Sequence, residues 1–587
     1  MVNIVGKHSF APFGHINDLI LSSESEVTQA TNLKLKLVQA KDDGQHDSDH
    51  SLDWWRGAVI YQVYPRSFCD TNEDGIGDLQ GVISKLDYIS DLGVDALWVS
   101  PFFKSPMNDF GYDISDYRNV DPIFGTLSDF DELVAQAKIR GIKIMIDQVL
   151  SHTSDQHQWF KTSRKSKTNN KSDWYVWADA KPDGSAPNNW IAIFGGSAWQ
   201  WDEKRGQYYL HNFLSSQPDL NFHCDELRAQ ILEEIEFWLK RGVDGFRLDA
   251  INFCYHDKLL RDNPFKPLEE RTGRGFSPEN PYAAQYHYFD NTQDENLGFL
   301  EEVRSLLDNY PGTVALGEIN SEDSLKTLSE YTQGDQRLHM GYNFELLADE
   351  FSAEHVRKTV NSLESVIGEG WPCWAVSNHD VIRVVSRWGD GIHNTQFAKM
   401  ALALAASLRG TLCVYQGEEL GFTEANIQQH QLQDPFGIEF WPEFKGRDGC
   451  RTPIAWNDDQ PHAGFSSHDS WLPVADEHRR HNVAAQVEDN DSVLNFYKQF
   501  LRWRTTQRVL IEGAIKFLDS PEQVLIIHRS HHGEHITACF NLSAEPVTFT
   551  APVINTPIPL QGLGVTLDTT IEGLSISLEP YGFAYFS

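Results

Sequence analysis

The 587-residue chain is predicted to be an α/β protein: a (β/α)8 TIM barrel with an insertion subdomain after its third strand and a C-terminal antiparallel β-sandwich. Three observations predict it. Eight short apolar runs alternate with amphipathic helical stretches, two connections are far too long for plain βα loops, and the final segment breaks into short strand-like pieces.

In order, the runs are GAVIYQVY (57–64), ALWVS (96–100), IKIMIDQVL (142–150), GFRLDA (245–250), TVALGE (313–318), HMGYNF (339–344), PCWAVSN (372–378) and TLCVYQG (411–417). Helical patterns such as LSDFDELVAQAKIRG (127–141) and DELRAQILEEIEFWLKRG (225–242) lie between them. A doubly wound open sheet produces the same alternation, but eight such units favour closure into a barrel. Order begins at Asp53-Trp54-Trp55; residues 1–50 end in KDDGQHDSDH, hold no period of 2 or 3.6, and read as a disordered extension. The barrel takes residues 51–150 and 224–507. Residues 151–223, rich in Trp, Gly, Asn and Asp, form the insertion subdomain, and 418–490 is a second irregular insertion. Each follows a candidate strand, so each falls on the face where barrels carry active sites. After the helix DSVLNFYKQFLRWRTTQ (491–507), the pieces QVLIIHRS, ITACFNLS, VTLDTT and LSISLEP mark the sandwich at 508–587.

Composition excludes several classes. Acidic residues number 84 and basic residues 49, for a net charge of −35. A nucleic-acid binder needs a cationic face to displace counterions from phosphate, and this chain is repelled instead. Anionic membrane surfaces are excluded on the same ground. Aromatic residues make up 12 % of the chain, including 17 Trp, most of them expected in the core. The seven cysteines form no CxxC pair, which fits reduced thiols rather than zinc or redox chemistry. No apolar run approaches the ~18 residues of a membrane span. The N-terminal stretch lacks a basic start joined to a continuous apolar segment, so a cytoplasmic location is expected.

Three carboxylates stand at or just beyond candidate strand ends: Asp249 in GFRLDA, Glu318 in ALGEI and Asp380 in SNHD. Glycoside hydrolysis needs two carboxyl groups flanking the scissile bond, one protonated and one ionised. A lone Asp after a strand is usually a helix cap; three in matching positions are not. Strand alternation puts Arg247 and Asp249 on one face and sends Leu248 outward. The adjacent guanidinium is expected to lower the Asp249 pKa and keep it ionised. Separately, DTNEDGIGD (70–78) places Asp70, Asn72, Asp74, the Ile76 carbonyl and Asp78 at positions 1, 3, 5, 7 and 9, with Gly75 at 6. That is the oxygen-ligand spacing of an EF-hand loop, although position 12 is Gly81 rather than a bidentate Glu. An Asx-rich turn without metal is the alternative.

DQVLSH (147–152), GFRLDA (245–250), GEI (317–319) and SNHD (377–380) resemble the four ordered signature regions of the α-amylase family of glycoside hydrolases. QPDLN (217–221), WWRGAVIYQVYPRSF near the start and YQGEELG (415–421) are similar to its oligo-1,6-glucosidase and α-glucosidase branch. The resemblance covers about residues 53–587 and implies a role for each matching position. Asp249 is then the nucleophile, Glu318 the general acid and base, and Asp380 a ligand of the distorted sugar that helps keep Glu318 protonated. His152 and His379 donate to the same sugar, and Arg247 orients the nucleophile. Asp109 and Tyr112 close the pocket, with Arg447 pairing to Asp109 on the terminal glucose and Arg451 as the competing assignment. Phe194 and Phe213 either contact substrate or pack within the subdomain. Asp147 is expected to order the barrel through Arg247. Ser151 stands where the family usually has Asn, which puts the amylase-type calcium between barrel and insertion in doubt. The 70–78 loop carries a structural calcium or magnesium ion in related glucosidases; no organic cofactor is implied.

These positions imply a retaining exo-acting α-glucosidase of short, maltose-like substrates, with transglucosylation as a side activity. Ala250 after the nucleophile leans toward α-1,4 bonds, since small or Thr-like residues there accompany that preference. A sucrose- or trehalose-active isomerase or an oligo-1,6-glucosidase on the same scaffold is the near rival. A non-catalytic partner related to transporter heavy subunits is the remote one, disfavoured by the three retained carboxylates. The expected partners are small α-glucosides, and the expected state is a monomer or weak homo-oligomer.

Overall fold

Eight parallel strands close into a barrel: β1 (Val59–Val63), β2 (Ala96–Val99), β3 (Lys143–Val149), β4 (Gly245–Asp249), β5 (Val314–Glu318), β6 (Met340–Asn343), β7 (Pro372–Ala375) and β8 (Thr411–Tyr415). Each pairs with its neighbours in sequence, and β1 closes on β8. Each of the eight apolar runs supplies one strand, and the pairing of β1 with β8 excludes the open-sheet alternative. The computed structural model describes residues 52–271, 280–550, 556–560, 563–570 and 573–587. The extension expected at residues 1–50 lies outside the described residues.

The strands read as unbroken apolar runs because both faces are buried. Val59, Tyr61 and Val63 face the surrounding helices, while Ile60 joins Trp98, Met145, Leu316, Met340 and Cys413 inside the barrel. That interior is apolar, but toward the strand C-termini it turns polar, with Asp147, Arg247, Asp249 and Glu318 all buried. One end of the barrel therefore serves packing and the other carries charge.

Helices between strands begin where the sequence supplies caps. Thr126 and Asp129 form a reciprocal capping box for Leu127–Ile139, whose Phe130, Leu133 and Ala137 are buried. Asp225–Leu239 buries Leu227, Ile231, Ile235 and Trp238 at helical spacing and sets Asp225 and Glu226 in its first turn, where they complement the macrodipole.

Residues 151–223 contain a three-stranded antiparallel sheet in the order Trp177–Ala178, Gln207–Leu210, Trp199–Asp202, over a small core that includes Trp190 and Trp199. Residues 418–490 hold only short helical turns and loops. At the C-terminus, β9 (Ala514–Leu518), β10 (Val524–His531), β11 (Glu534–Asn541) and β15 (Phe583–Phe586) form one antiparallel sheet; β12 (Val547–Thr550), β13 (Val565–Thr570) and β14 (Gly573–Leu578) form another. Val524, Ile526, Cys539, Ile576 and Leu578 pack between them. All seven cysteines are free.

Buried Arg529 ties the C-terminal sheet to the barrel, and buried Arg504 ties the helix Val493–Thr505 back onto the barrel. Arg504 donates to the carbonyls of Gly57 (2.6 Å) and Ala406 (2.9 Å), and Arg529 to those of Ser407 (2.8 Å) and Gly513 (2.7 Å). Truncation would leave buried carbonyls unpaired, so Arg504→Ala is expected to destabilise the chain by about 2–4 kcal/mol, read as a lower denaturant midpoint. A change below ~0.5 kcal/mol would contradict this account of how the helix is held.

Candidate active site

Strand register assembles the centre of the site. Asp147 on β3 lies directly beside Arg247 on β4, and Val149 beside Asp249. On the other flank Leu316 of β5 pairs with Arg247, which brings Glu318, two residues on, to the same inward face. Arg247 Nη1 donates to Asp147 Oδ1 at 2.8 Å and also to Asp249 Oδ1, while Nη2 faces Glu318 Oε1. One buried guanidinium thus holds three carboxylates. A Cβ at Gly317 would lie 2.4 Å from Leu338 Cδ1, so a larger residue would have to displace that buried side chain.

The chain bends sharply after Asp249. Ala250 sits in the left-handed region at φ +40°, and its amide donates to Glu318 Oε2 at 2.9 Å. An L-residue rarely adopts that backbone, which places a strained turn between the two carboxylates.

Asp380 follows β7 in a loop pinned from two sides. Arg451 donates to its Oδ1 at 2.8 Å and to the His379 carbonyl at 2.7 Å, and Arg447 Nη1 reaches the same Oδ1 at 3.2 Å. Of the two competing arginines, Arg447 is the one that donates to Asp109 Oδ1, at 3.0 Å. Arg447 is itself held by Asp434 through its amide (2.7 Å), Nε (3.1 Å) and Nη2 (2.8 Å). Tyr112 stacks on His379 with ring planes 2° apart, and its hydroxyl lies 2.6 Å from His379 Nε2 and 3.1 Å from Asp147 Oδ2. His152 Nε2 faces the Tyr112 carbonyl at 3.0 Å, its Nδ1 faces Ser151 Oγ at 3.0 Å, and Gln217 Nε2 bridges it to Asp109.

These groups line one cavity of about 390 Å³. Asp249, Glu318, Asp380, Asp109, Tyr112, His152 and Arg447 lie on its wall, and so do Phe194 and Phe213. Phe194 meets Phe436 edge-on beneath Arg447, and Phe213 packs against His152 and Phe253. Arg247 and His379 sit behind the wall and reach it through Asp249, Glu318, Asp380 and Tyr112.

Burial governs the ionisation of the pair. It raises Glu318 to about 8, reinforced by Asp249 and Asp380 against the pull of Arg247. It also raises Asp249 to about 7 in spite of Arg247. The expected lowering of Asp249 does not occur, because the guanidinium is shared with Asp147 and Glu318 while the site excludes water. Burial raises Asp147 to about 6 by the same means. Asp380 goes the other way: burial opposes its charge, but His379, Arg447, Arg451 and Arg247 outweigh it and hold the carboxyl well below the usual range. Burial lowers His152 to about 4 and His379 to about 3, so both are neutral imidazoles near pH 7.

The 70–78 loop is wound by its own side chains. Asp70 Oδ1 accepts from the amides of Asn72 (3.0 Å) and Glu73 (2.8 Å), Asn72 from Asp74 (3.0 Å), and Asp74 from Ile76 (2.9 Å). Asp78 caps Leu79–Ser84 by accepting from Gly81 N at 2.7 Å. The all-oxygen donor set suits a hard divalent cation. Among the described residues, however, no three Asp, Glu, His or Cys side chains are gathered into a metal-sized cluster.

Sequence reading missed Asp434, Gln217 as a bridge, and the aromatic wall of Phe253, Phe436 and Phe444. Gln217 lies inside the QPDLN motif, so it could have been named. Asp434 and Phe436 sit in an irregular insertion with no periodicity to flag them.

An eight-stranded barrel whose strand ends hold paired carboxylates over one guanidinium defines a protein of the α-amylase class. The chain belongs to that family: the alpha-amylase catalytic domain matches residues 62–513. It is 53 % identical over 515 residues to a probable alpha-glucosidase of Rhizobium meliloti (strain 1021), covering 87 % of this chain and 93 % of that protein. It is 36 % identical over 571 residues to an oligo-1,6-glucosidase of Heyndrickxia coagulans, covering 91 % and 99 %. Among solved structures, the alpha-glucosyl transfer enzyme XgtA is 58 % identical with a TM-score of 0.89, covering 91 % of this chain and 99 % of that one. The trehalulose synthase MutB of Pseudomonas mesoacidophila MX-45 is 33 % identical with a TM-score of 0.81 over the same shares. The protein is a glycoside hydrolase of the α-glucosidase and oligo-1,6-glucosidase type. Among the described residues, no helix is long and apolar enough to cross a membrane.

Proposed function

We propose that the protein is a retaining, exo-acting α-glucosidase that releases glucose from the non-reducing end of short α-glucosides such as maltose. The observation that carries this reading is one cavity lined both by the Asp109–Arg447 ion pair with Tyr112, which the resemblance makes the closed end, and by Asp249 and Glu318 paired on one guanidinium. A shared clamp supports the ~5–5.5 Å carboxyl approach of retaining enzymes over the ~6.5–9.5 Å of inverting ones. Asp249 attacks the anomeric carbon as Glu318 protonates the departing glycosidic oxygen, giving a glucosyl ester and a free sugar. Glu318, now ionised, takes a proton from water, which opens the ester and frees glucose. An alcohol or sugar in place of that water gives transglucosylation, and the likeness to a glucosyl transfer enzyme favours it as an accompanying activity. Ala250 leaves room beside the reacting bond and supports a lean toward α-1,4 over α-1,6 linkages, worth ~1–3 kcal/mol.

Early-time proton NMR with maltose is expected to show α-glucose before mutarotation, and Asp249→Asn to abolish it. Release of β-glucose first, or no glucose from maltose, isomaltose or sucrose, would overturn the reading. The same pair sets a pH profile. Activity requires Asp249 ionised and Glu318 protonated, so kcat/KM should fall below about pH 7 and again above about pH 8, as two ionisations of a coupled pair. An acid limb at the ordinary carboxylate value would contradict it.

We also propose that the 70–78 loop takes up one calcium or magnesium ion in a structural role, through Asp70, Asn72, Asp74, Asp78 and the Ile76 carbonyl. Ion at about a hundredfold its Kd should stabilise the fold by about 2.7 kcal/mol, read as a higher unfolding midpoint than in chelator-treated protein. Asp74→Ala should remove that increment, and an unchanged midpoint in the parent chain would count against the site.

A further inference from the structure

Beyond the catalytic end, the cavity wall is mostly apolar, with Phe194, Phe213, Phe253, Phe344, Phe436 and Phe444 prominent. Polar side chains outside the catalytic group are few there: Asn320, Glu345, Glu350 and His355. Three of those four come from one stretch, the loop after β6 and the first turn of the next helix, Ala353–Val366.

The geometry within that stretch is built around His355. Ser352 accepts a hydrogen bond from the His355 amide and caps the helix, which fixes where the imidazole emerges. One ring nitrogen lies 3.3 Å from the Glu345 carbonyl oxygen and the other 3.3 Å from Glu350 Oε2. The His355 side chain is only 14 % exposed and that of Glu350 is 67 % exposed, so a held imidazole stands beside a carboxylate open to solvent. Asp109, by contrast, is 6 % exposed and salt-bridged to Arg447. Glu350 therefore stands on the solvent side of the cavity wall, with His355 beside it. Both His355 contacts, at 3.3 Å, are longer than the usual hydrogen bond. The exposed Glu350 carboxylate offers acceptors to a sugar hydroxyl, and exchange of one His355 contact frees a ring N–H as a donor beside it.

We propose that Glu350 and His355 bind hydroxyls of the sugar on the far side of the scissile bond, as the leaving group in hydrolysis and as the acceptor in transfer. The loop after β6 then determines how strongly the enzyme prefers a sugar to an aglycone without hydroxyls. This deepens the α-glucosidase reading and rests on it.

The test compares maltose with p-nitrophenyl α-glucoside, whose aryl leaving group has no hydroxyls, in the parent chain, Glu350→Gln, His355→Ala and the double variant. The ratio of kcat/KM for maltose to that for the aryl glucoside is expected to fall about tenfold, the loss of one hydrogen bond to a charged group, with most of the change in KM. The share of glucosyl transferred to maltose rather than to water should fall in parallel. A ratio that stays constant, whether both substrates lose activity equally or neither does, overturns the proposal. Thermal unfolding of each variant separates a misfolded chain from a lost contact, and Glu350→Gln, at an exposed position, keeps the test available if His355→Ala fails to fold. A parent chain inactive on both substrates would instead sink the α-glucosidase reading, and this inference with it.

Discussion

Arg247 is one buried cation among three carboxylates, and the charged end of the barrel depends on it. In a water-poor interior the attraction between such groups is strong, but so is the cost of stripping their hydration. Asp147, Asp249 and Glu318 cannot all stay ionised around a single positive charge, so protons must make up the difference. This is why burial lifts Glu318 and Asp249 out of the ordinary carboxylate range. The clamp also fixes geometry, since each carboxylate comes from a different strand and the guanidinium sets how the three ends approach.

A second arginine does the equivalent work at the closed end. Arg447 joins Asp109 from the loop after β2, Asp380 from the loop after β7 and Asp434 from its own insertion. Asp434 is fully buried and caps Pro435–Phe440, the short helix that carries Phe436 to the cavity wall. The position of the aromatic wall and that of the charge at the pocket end are therefore set by the same carboxylate. The balance differs between the two clamps. Asp380 gains from several cations and stays ionised, whereas Asp249 and Glu318 share one and do not both do so.

The barrel strands are legible in sequence because burial on both faces demands apolar residues at every position, and each run keeps that character from end to end. Asp249, Glu318 and Asp380 are legible because strand ends are where barrel chemistry sits. The expected role of Asp147 as a barrel-ordering partner of Arg247 is what the register produces. The ionisation of Asp249 is not legible. A neighbouring guanidinium is visible in GFRLDA, but the two other carboxylates that divide its charge come from different strands, one far upstream and one far downstream. Asp434, Phe436 and Phe444 are invisible for a related reason: an irregular insertion has no period, so nothing local marks which residues turn inward.

The sequence by itself determined the barrel, its strand ends and the chemical class of the groups placed there, because those depend on local patterns of burial and on residue type. Tertiary structure alone decided which carboxylate each arginine serves, how far burial raises each pKa, and which side chains close or open the cavity. Those properties are sums over groups that are distant in the chain and adjacent in space, and no local pattern carries such a sum.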